Sequence, residues 1–438
     1  MLISHISDIH LGYSQFNLQE REEDLYEVFE ESIEKSINEH VKAIILSGDL
    51  FHNPKPNGAP IVRLARELKK LKEKSILVFF ILGEHDISRS NDVPLPYLFH
   101  NLGLARRLRP DSPVQVGKLL IYGFNKERRS NIENGLIKPF KALESIVKSD
   151  EQKYTIDNKR PSKILVLHQG LNDFNKFAGE ISSSDLPSGF DYYAMGHYHD
   201  HIEKRFSCIN DGLVAYPGSI DLGHNEPISN VEKGFLIVDI SDSSSAVNTQ
   251  WIRLDRRRPQ LAYQIDYSDL NINLNSIIEE STNYSKKPIV NIHVVGSNID
   301  QKMLARQLIP LENTTLYYNW VIADAQFSDT SGYSYDKDQG FDMDREMSTL
   351  IQKSLRSKPL TDLSLDLIQS FNDNSDSTYN DVLDKNKKEQ IAKFLWEYYK
   401  THRSSYENQK MDHNNTPSVE EEGEEKEETS TDQKNHPE

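Results

Sequence analysis

The segment LISHISDIHLG, residues 2–12, runs from a short apolar strand directly into polar residues and a glycine. The segment AIILSGDLFH, residues 43–52, has the same arrangement. Between them, residues 20–40 space their apolar side chains at i, i+3 and i+4, which is typical of an amphipathic helix. Strand, helix and strand in succession predict an α/β fold with at least one mostly parallel sheet.

Further along the chain, the strand pattern continues. A second helix is predicted at residues 60–71, and apolar runs predict strands at 76–82, 119–124, 163–167, 192–195, 213–216 and 235–240. After a basic stretch at 253–258, we predict strand, helix, strand, helix and strand at 260–266, 270–280, 288–295, 301–308 and 315–323. This second succession indicates a small α+β module that follows the main sheet domain.

Polar residues rich in histidine and acid follow five of the predicted strands. They occupy residues 8–10, 48–52, 83–86, 168–170 and 196–199. Because the carboxyl ends of strands in open α/β sheets border one crevice, side chains that are distant in sequence can share a site there. One such histidine would more often be an ordinary polar residue, but five segments at strand ends together predict a functional site.

The chemistry of these side chains favours a metal centre. The candidate ligands are Asp8, His10, Asp49, Glu84, His85, His168, His197 and His199. Imidazole and carboxylate without thiolate suit Mn²⁺, Fe²⁺ or Zn²⁺, and the oxygen content favours Mn²⁺. So many ligands exceed the needs of one ion. They fit two ions that share a bridging carboxylate, an arrangement that activates water for phosphoryl transfer.

Composition restricts the class of protein. The chain has 438 residues, with 68 acidic side chains against 51 Lys plus Arg, and its net charge of −17 disfavours non-specific coating of DNA. Cys208 is the only cysteine, which excludes an intrachain disulfide and a thiolate cluster. The sequence has no signal-peptide pattern and no apolar run of membrane-spanning length, so we expect a soluble, cytoplasmic, nucleoid-associated protein.

Four motifs resemble those of a known nuclease family. They are Asp-x-His-Leu-Gly at 8–12, Gly-Asp-Leu-Phe-His at 48–52, Gly-His-x-His at 196–199 and Tyr-Pro-Gly-Ser at 216–219. These motifs are similar to those of the DNA double-strand-break repair nucleases called SbcD or Mre-eleven, within the calcineurin-like metallophosphoesterase superfamily. Protein phosphatases of that superfamily carry Gly-Asp-x-x-Asp-Arg where this chain has Gly-Asp-Leu-Phe-His-Asn. The resemblance covers about residues 1–255 and implies an archaeal source.

The resemblance also implies roles for individual residues. One Mn²⁺ would be held by Asp8, His10, Asp49 and His199, and the other by Asp49, Glu84, His168 and His197, with Mg²⁺ or another divalent ion as an alternative. His85 would protonate the leaving 3′ oxygen or orient the phosphate, and His52 would contact the substrate near the scissile phosphate. The activity implied is exonucleolytic and endonucleolytic hydrolysis of phosphodiester bonds at DNA ends.

One ligand position departs from the family pattern. The family has Asn in Gly-Asn-His-Asp, and this chain has Glu84. Glutamate adds a negative charge and one methylene of reach, which two divalent cations can tolerate. We expect nuclease activity to be retained with altered metal preference, and a site weakened by the extra charge is the alternative.

The family layout implies a layered β-sandwich flanked by helices at residues 1–255 and a small α+β capping domain at 256–325. A linker at 326–341, a helical docking region at 342–403 and a disordered acidic tail at 404–438 would follow. The docking region contains apolar helical stripes at 360–373 and 380–400. In the family it binds an ABC-type ATPase with SMC-like coiled coils. The tail has eleven acidic residues and three lysines.

The implied partners are double-stranded DNA ends, the ATPase and a second copy of the chain. Apolar faces at residues 61–68 and 95–104 match the regions through which the family pairs as a homodimer, and packing within the core is the alternative. Basic residues are candidates for phosphate contact, namely Arg89, Arg106, Arg107, Arg109, Arg128, Arg129 and the group Arg253, Arg256, Arg257 and Arg258.

Two other functions are compatible with the same residues. A phosphodiesterase for small nucleotides would share the metal site without needing a docking region. A scaffold whose site is weakened by Glu84 would bind metal or DNA without cleaving it.

Overall fold

Two six-stranded sheets form the centre of this computed structural model. It describes residues 1–88, 92–155, 159–176, 178–223, 226–240, 247–323, 351–352, 357–373, 391 and 393–394. Within these residues the strands are β1 (Leu2–Ile6), β2 (Ala43–Ser47), β3 (Leu77–Ile81), β4 (Arg106–Arg107), β5 (Val114–Val116), β6 (Leu119–Gly123), β7 (Ser162–His168), β8 (Tyr192–Gly196), β9 (Ile202–Arg205), β10 (Leu213–Tyr216), β11 (Gly234–Asp239), β12 (Asn248–Arg253), β13 (Gln260–Asp266), β14 (Ile289–Val295) and β15 (Tyr317–Ala323). The helices are α1 (Gln19–Asn38), α2 (Gly58–Glu73), α3 (Tyr97–Asn101), α4 (Lys138–Tyr154), α5 (Leu270–Thr282), α6 (Gln301–Leu308), α7 (Leu311–Thr314) and α8 (Lys358–Asp373).

Parallel pairing dominates the middle of both large sheets. The first sheet has the order β12-β11-β1-β2-β3-β4, and β1 to β4 run parallel. The second has the order β5-β6-β7-β8-β10-β9, and β6, β7, β8 and β10 run parallel. Antiparallel pairing occurs at the β11–β12 edge of the first sheet and at both edges of the second. The predicted α/β class with mostly parallel sheets is confirmed.

The two sheets pack face to face between layers of helix. Ile45 and Phe79 of the first sheet share one buried cluster with Ile121 and Val166 of the second. The outer face of the first sheet buries residues of α1 and α2. The outer face of the second sheet packs against Phe140 and other apolar residues of α4. This order of helix, sheet, sheet and helix is the layered β-sandwich that the family resemblance implies.

A third sheet contains the three parallel strands β13, β14 and β15. Its core joins residues of the strands, such as Ile292, to Leu274 of α5 and Leu304 of α6. The predicted succession of strands and helices in this region is confirmed, and the bounds of β13 and α6 agree with the prediction. The module begins directly after the basic stretch at 253–258, which starts at the last residue of β12.

That basic stretch is bound to acidic residues of the large-sheet domain. Arg258 donates from Nε to Asp24 at 2.6 Å, and Arg257 donates from Nε to Asp221 at 3.0 Å. Arg21 joins both carboxylates, at 3.0 Å from Asp24 and 2.8 Å from Asp221. Arg257 and Arg258 connect the module to the loop after β10 and to α1, because buried guanidinium groups require carboxylate partners. This pairing disfavours phosphate contact by Arg257 and Arg258. For Arg253 and Arg256, which are 59% and 45% exposed, phosphate contact stays a prediction.

Replacing Asp221 by asparagine is expected to destabilise the protein in a pH-dependent way. Removing one member of this buried pair should lower the free energy of unfolding at neutral pH by about 3 kcal/mol, since it leaves guanidinium charge uncompensated. Burial raises the pKa of Asp221, but Arg21 and Arg257 outweigh burial and hold the pKa at about 2, below its ordinary value of 3.8. The stabilisation from ionised Asp221 is complete at pH values above the ordinary pKa of 3.8. It is lost as the pH falls from there through the folded-state pKa of about 2.

Urea unfolding tests this expectation. Between about pH 5 and about pH 3, the advantage of the wild type over Asp221→Asn should shrink by about 1 kcal/mol. Asp111→Asn is the control, because Asp111 is exposed and pairs with the exposed Arg109. An advantage that is the same at both pH values would contradict the assignment.

The C-terminal predictions are only partly open to comparison. The helix predicted at 360–373 is confirmed as α8. Arg89, the linker at 326–341, the tail at 404–438 and the helix at 380–400 apart from residues 391, 393 and 394 lie outside the described residues. In the part of the chain that the structure describes, no helix combines the length and apolarity needed to cross a bilayer.

Candidate metal centre

The ends of five strands from both large sheets meet at one edge of the sandwich. Asp8 and His10 follow β1, Asp49 follows β2, and Glu84 follows β3. The second sheet supplies His168 at the end of β7, with His197 and His199 after β8. The sheets are joined there by a hydrogen bond of 2.7 Å from His168 Nδ1 to the carbonyl oxygen of Ser47. The structure thus brings together all seven predicted metal ligands.

The first set of candidate ligands contains Asp8, His10 and His199. Their nearest ligand atoms lie within 4.8 Å of one another. The Nε2 atoms of His10 and His199 face each other at 3.2 Å, and His199 Nε2 lies 4.0 Å from Asp8 Oδ1. Two imidazole nitrogens directed at the same point beside a carboxylate are suited to a shared cation.

The second set contains Glu84, His168 and His197. Glu84 Oε2 lies 2.9 Å from His168 Nε2, and Glu84 Oε1 lies 2.9 Å from His197 Nδ1. Asp49 lies between the two sets. Its Oδ2 is 3.5 Å from His168 Nε2 and 3.8 Å from His10 Nε2. Asp49 is therefore in position to serve both sets, and Asp8, whose Oδ1 lies 3.8 Å from His168 Nε2, also borders the second set.

The backbone is strained at four of the seven residues. Asp8, His10 and Asp49 have φ values of 52°, 49° and 50°, and His197 has a φ of 99°. Side chains with a Cβ rarely adopt this region, and such conformations concentrate at functional sites. Close packing around Gly48 adds a further constraint, because a Cβ there would collide with the ring of His168. The fold thus holds these side chains in place at a cost in conformational energy.

Hydrogen bonds on the outer side of the site fix the imidazole tautomers. His168 donates its Nδ1 proton to Ser47, which leaves Nε2 as the ring atom directed into the site. His199 Nδ1 lies 2.9 Å from Glu226 Oε2, and Lys233 Nζ holds that carboxylate at 2.5 Å from Oε1. Donation of the other ring proton to a carbonyl or carboxylate is the usual arrangement of metal-bound histidine.

Unpaired atoms in the site test whether a cation fits. His10 Nδ1 is buried and makes no hydrogen bond to any described residue, and the buried His168 Nε2 faces carboxylate oxygens of Glu84 and Asp49 at 2.9 and 3.5 Å. Burial lowers the pKa of His10 to about 3, so its imidazole is neutral and can donate a lone pair. Burial also acts to lower the pKa of His168, but Asp49 and Glu84 raise it well above its ordinary value. The carboxylates thus favour positive charge at the centre, which fits a divalent ion.

His52 and His85 lie beside the first set. Their rings stack with centroids 5.2 Å apart, and the ring of His85 is 4.9 Å from that of His10. His85 Nδ1 donates to the carbonyl oxygen of His52 at 2.8 Å, which leaves Nε2 as the other ring atom for contact with a substrate. The backbone nitrogen of His85 donates to Asp49 at 2.9 Å. Both histidines therefore border the candidate metal positions.

Comparison with known proteins agrees with this geometry. The calcineurin-like phosphoesterase family matches residues 1–201. The DNA double-strand break repair protein Mre11 of Sulfurisphaera tokodaii is 34% identical over 72% of this chain and 79% of that protein. The Mre11 proteins of Saccharolobus solfataricus and Methanococcus maripaludis are 30% and 35% identical, over 87% and 67% of this chain and 98% and 78% of theirs. The chain belongs to the Mre11 family.

Membership of the Mre11 family confirms two of the predictions. The layered α/β fold is that of a calcineurin-like phosphoesterase. The chain is an enzyme, a metal-dependent phosphodiesterase of the nuclease type. The assignment of each ligand and of the metal itself stays a prediction, and the proposal below rests on it.

Three supporting residues of this Mre11-family site were not predicted. Asp86 accepts from the backbone nitrogens of Leu50, Phe51 and Gly83 at 3.0–3.2 Å, and so joins the loops that carry Asp49 and Glu84. Glu226 orients His199, and Lys126 lies 3.8 Å from Glu84. Asp86 stands in the quoted motif at 83–86, but its role depends on backbone groups that the sequence does not reveal.

Asp86→Asn is expected to reduce activity without removing any predicted ligand. An amide supplies one acceptor in place of two, and its NH₂ group would face a backbone N–H. Loss of such an outer partner typically costs about 10- to 100-fold in metal affinity or activity. Mn²⁺ titration and DNA cleavage measure this effect, with Asp185→Asn, a substitution in a turn at Ser183–Asp185, as the control. Wild-type affinity and activity in Asp86→Asn would exclude a positioning role.

Proposed function

We propose that this chain is a manganese-dependent exonuclease and endonuclease of a DNA double-strand-break repair complex. The observation that carries the proposal is the position of Asp49, whose carboxylate lies within 3.8 Å of imidazoles from both ligand sets. The names of the Mre11 relatives support DNA as the substrate. The mixture of histidine and carboxylate supports Mn²⁺, with Mg²⁺ as the alternative.

The proposed ligands form two sets that share one residue. Asp8, His10, Asp49 and His199 would hold the first ion, and Asp49, Glu84, His168 and His197 the second. Two divalent ions bound there supply Lewis-acid activation of the attacking water and neutralise charge on the phosphate. The chain positions these ligands through left-handed backbone at four of them and through the outer contacts of Ser47, Glu226 and Asp86.

His85 is proposed to act on the leaving group. His85 Nδ1 donates to the carbonyl oxygen of His52. This leaves Nε2 as the ring atom that would donate a proton to the 3′ oxygen or contact the phosphate. Imidazole is the side chain most often used to transfer protons near neutral pH. His52 is proposed to contact the substrate beside it.

A panel of substrates tests the proposed function. With Mn²⁺, the wild type should cleave a linear duplex and a DNA hairpin faster than a small phosphodiester. Cleavage of the small ester alone would favour the nucleotide phosphodiesterase. Binding of DNA without cleavage of any substrate would favour the scaffold.

Glu84→Asn is expected to change metal preference while cleavage of DNA ends is retained. The substitution restores the neutral amide of the family pattern and removes one negative charge from the second set, so affinity for Mn²⁺ should fall by about tenfold. Mn²⁺ titration and cleavage rates with Mn²⁺ and with Mg²⁺ measure the effect. If the wild type is inactive and Glu84→Asn is active, Glu84 has disabled the natural site.

The remaining features are proposed to assemble the repair complex. Residues 256–325 would act as a capping domain and residues 342–403 as the docking region for a coiled-coil ATPase. A homodimer is proposed through α2 and α3. Leu64 and Phe99 are buried in the core, which agrees with the alternative that these helices only pack within the fold. Val62, Leu98 and Leu102, however, are 64%, 41% and 57% exposed. These exposed apolar side chains support pairing.

A further inference from the structure

Lys126 lies at the end of a sixth strand that borders the candidate metal centre. It comes shortly after β6, and its backbone nitrogen donates to the carbonyl oxygen of Leu82 at 2.8 Å. The neighbouring Asn125 accepts from the backbone nitrogen of Leu82 at 3.1 Å. These two bonds fasten the end of β6 to the end of β3, immediately before Glu84. The main chain therefore fixes where the Lys126 side chain begins.

The ammonium group of Lys126 is buried among residues of the second ligand set. Its side chain is 7% exposed. Nζ lies 2.7 Å from Glu180 Oε2, 3.8 Å from Glu84 Oε2 and 3.5 Å from His197 Nδ1. Glu180 is itself held by Gln169 Nε2 at 2.8 Å and by the backbone nitrogen of Gly170 at 3.1 Å. A buried cation is thus anchored at the edge of a site suited to cations.

A positive charge at this position needs an explanation, because it repels any divalent ion bound by the second set. Glu180 alone is enough to neutralise the single positive charge of Lys126. The ammonium nevertheless also lies close to the carboxylate of Glu84. Opposite charges at this separation attract each other, and the burial of Lys126 strengthens the attraction although the Glu84 side chain is 38% exposed. The ammonium and a metal ion bound by the second set would therefore compete for the carboxylate of Glu84.

We propose that Lys126 is a positioning residue that offsets the charge of Glu84 and thereby sets the divalent-ion affinity of the second ligand set. The inference rests on the proposed metal site. With Lys126 in place, part of the charge of Glu84 is offset, and the second set binds the ion less tightly than Glu84 alone would allow. Without it, Glu84 is free to bind the ion with its full charge.

A double-mutant cycle tests the proposal by binding, without reference to activity. Mn²⁺ affinity is measured by isothermal titration for the wild type, Lys126→Met, Glu84→Asn and the double variant. Lys126→Met should tighten Mn²⁺ binding by about tenfold when Glu84 is present and by less than about threefold when Asn occupies position 84, since contacting charged residues couple. Lys126→Arg, which keeps the charge, should remain within about threefold of the wild type.

Controls make each outcome decisive. Lys163, at the start of β7, is another buried lysine and pairs with Glu151. Lys163→Met should therefore leave Mn²⁺ affinity unchanged. Lys126→Gln replaces Lys126→Met if the apolar variant does not fold, as judged by thermal unfolding of the metal-free protein. Equal fold-changes in the two backgrounds would overturn the role of Lys126 while leaving the metal site intact. Failure of the wild type to bind Mn²⁺ would overturn the metal site and this inference together.

Discussion

Asp49→Asn is expected to abolish cleavage of DNA ends and to lower the number of Mn²⁺ ions bound per chain from two to one. The Asp49 carboxylate lies within 3.8 Å of imidazoles from both ligand sets, and its replacement removes charge from each. Activity should fall by about a thousandfold or more, because even the loss of an outer partner of a metal ligand typically costs about 10- to 100-fold. Single-turnover cleavage and Mn²⁺ titration measure the two effects.

The control for this prediction is Asp111→Asn, an exposed change that should leave both measurements at their wild-type values. Thermal unfolding of the metal-free variant separates loss of metal from loss of fold. Two Mn²⁺ ions bound by folded Asp49→Asn with wild-type affinity would show that this carboxylate does not bridge the sets.

His85→Ala is expected to lower the rate of cleavage by about 100- to 10,000-fold, which is the usual contribution of a general acid or base. His85 contacts the site through its backbone nitrogen and its ring but belongs to neither proposed ligand set. Mn²⁺ affinity should therefore change little, by less than about threefold. The effect should appear in kcat more than in KM, because proton donation acts in the transition state.

Added imidazole separates the two roles proposed for His85. Partial recovery of the rate with imidazole supports proton transfer, whereas no recovery together with a raised KM supports orientation of the phosphate. His40→Asn, at the distant end of α1, is the control, since asparagine tolerates the left-handed backbone of that residue. Loss of Mn²⁺ binding in His85→Ala would instead place His85 among the ligands.

The candidate ligands were predictable because the sequence signals strand ends strongly. A buried strand leaves a continuous apolar run, and the first polar residue after it marks the carboxyl edge of a parallel sheet. Close to that position, Asp8 and Asp49 stand two residues beyond the ends of β1 and β2, and His168 is the last residue of β7. The structure brings the three together. Asp49 could be proposed as the shared ligand only through the family resemblance, and the measured distances now support that proposal.

Contacts from distant segments were not predictable. Glu226 reaches His199 from a loop after β10, and Lys126 reaches Glu84 across the junction of two sheets. No local pattern signals either contact. The arginines at 253–258 show the same difficulty, since a basic run suggests phosphate contact while Arg257 and Arg258 pair with Asp221 and Asp24 instead.

Helix α4 was also missed, for a different reason. Only Phe140, Leu143 and Val147 are buried among its 17 residues, and most of the others are polar. Leu136, Phe140, Leu143 and Val147 keep helical spacing across the π-helical turn at Glu133–Ile137, so the pattern was present but sparse. By contrast, α1 buries residues on a regular face along most of its length and was predicted closely.

Every role proposed for this site depends on a pair of divalent ions that share Asp49, and anomalous diffraction from crystals grown with Mn²⁺ locates such ions directly. We expect two Mn²⁺ peaks per chain about 3.5–4 Å apart, the separation typical of two-metal phosphoryl-transfer sites. One ion should contact Asp8, His10 and His199, the other Glu84, His168 and His197, and both should contact Asp49. A single peak, or two peaks without Asp49 as a common ligand, would contradict it.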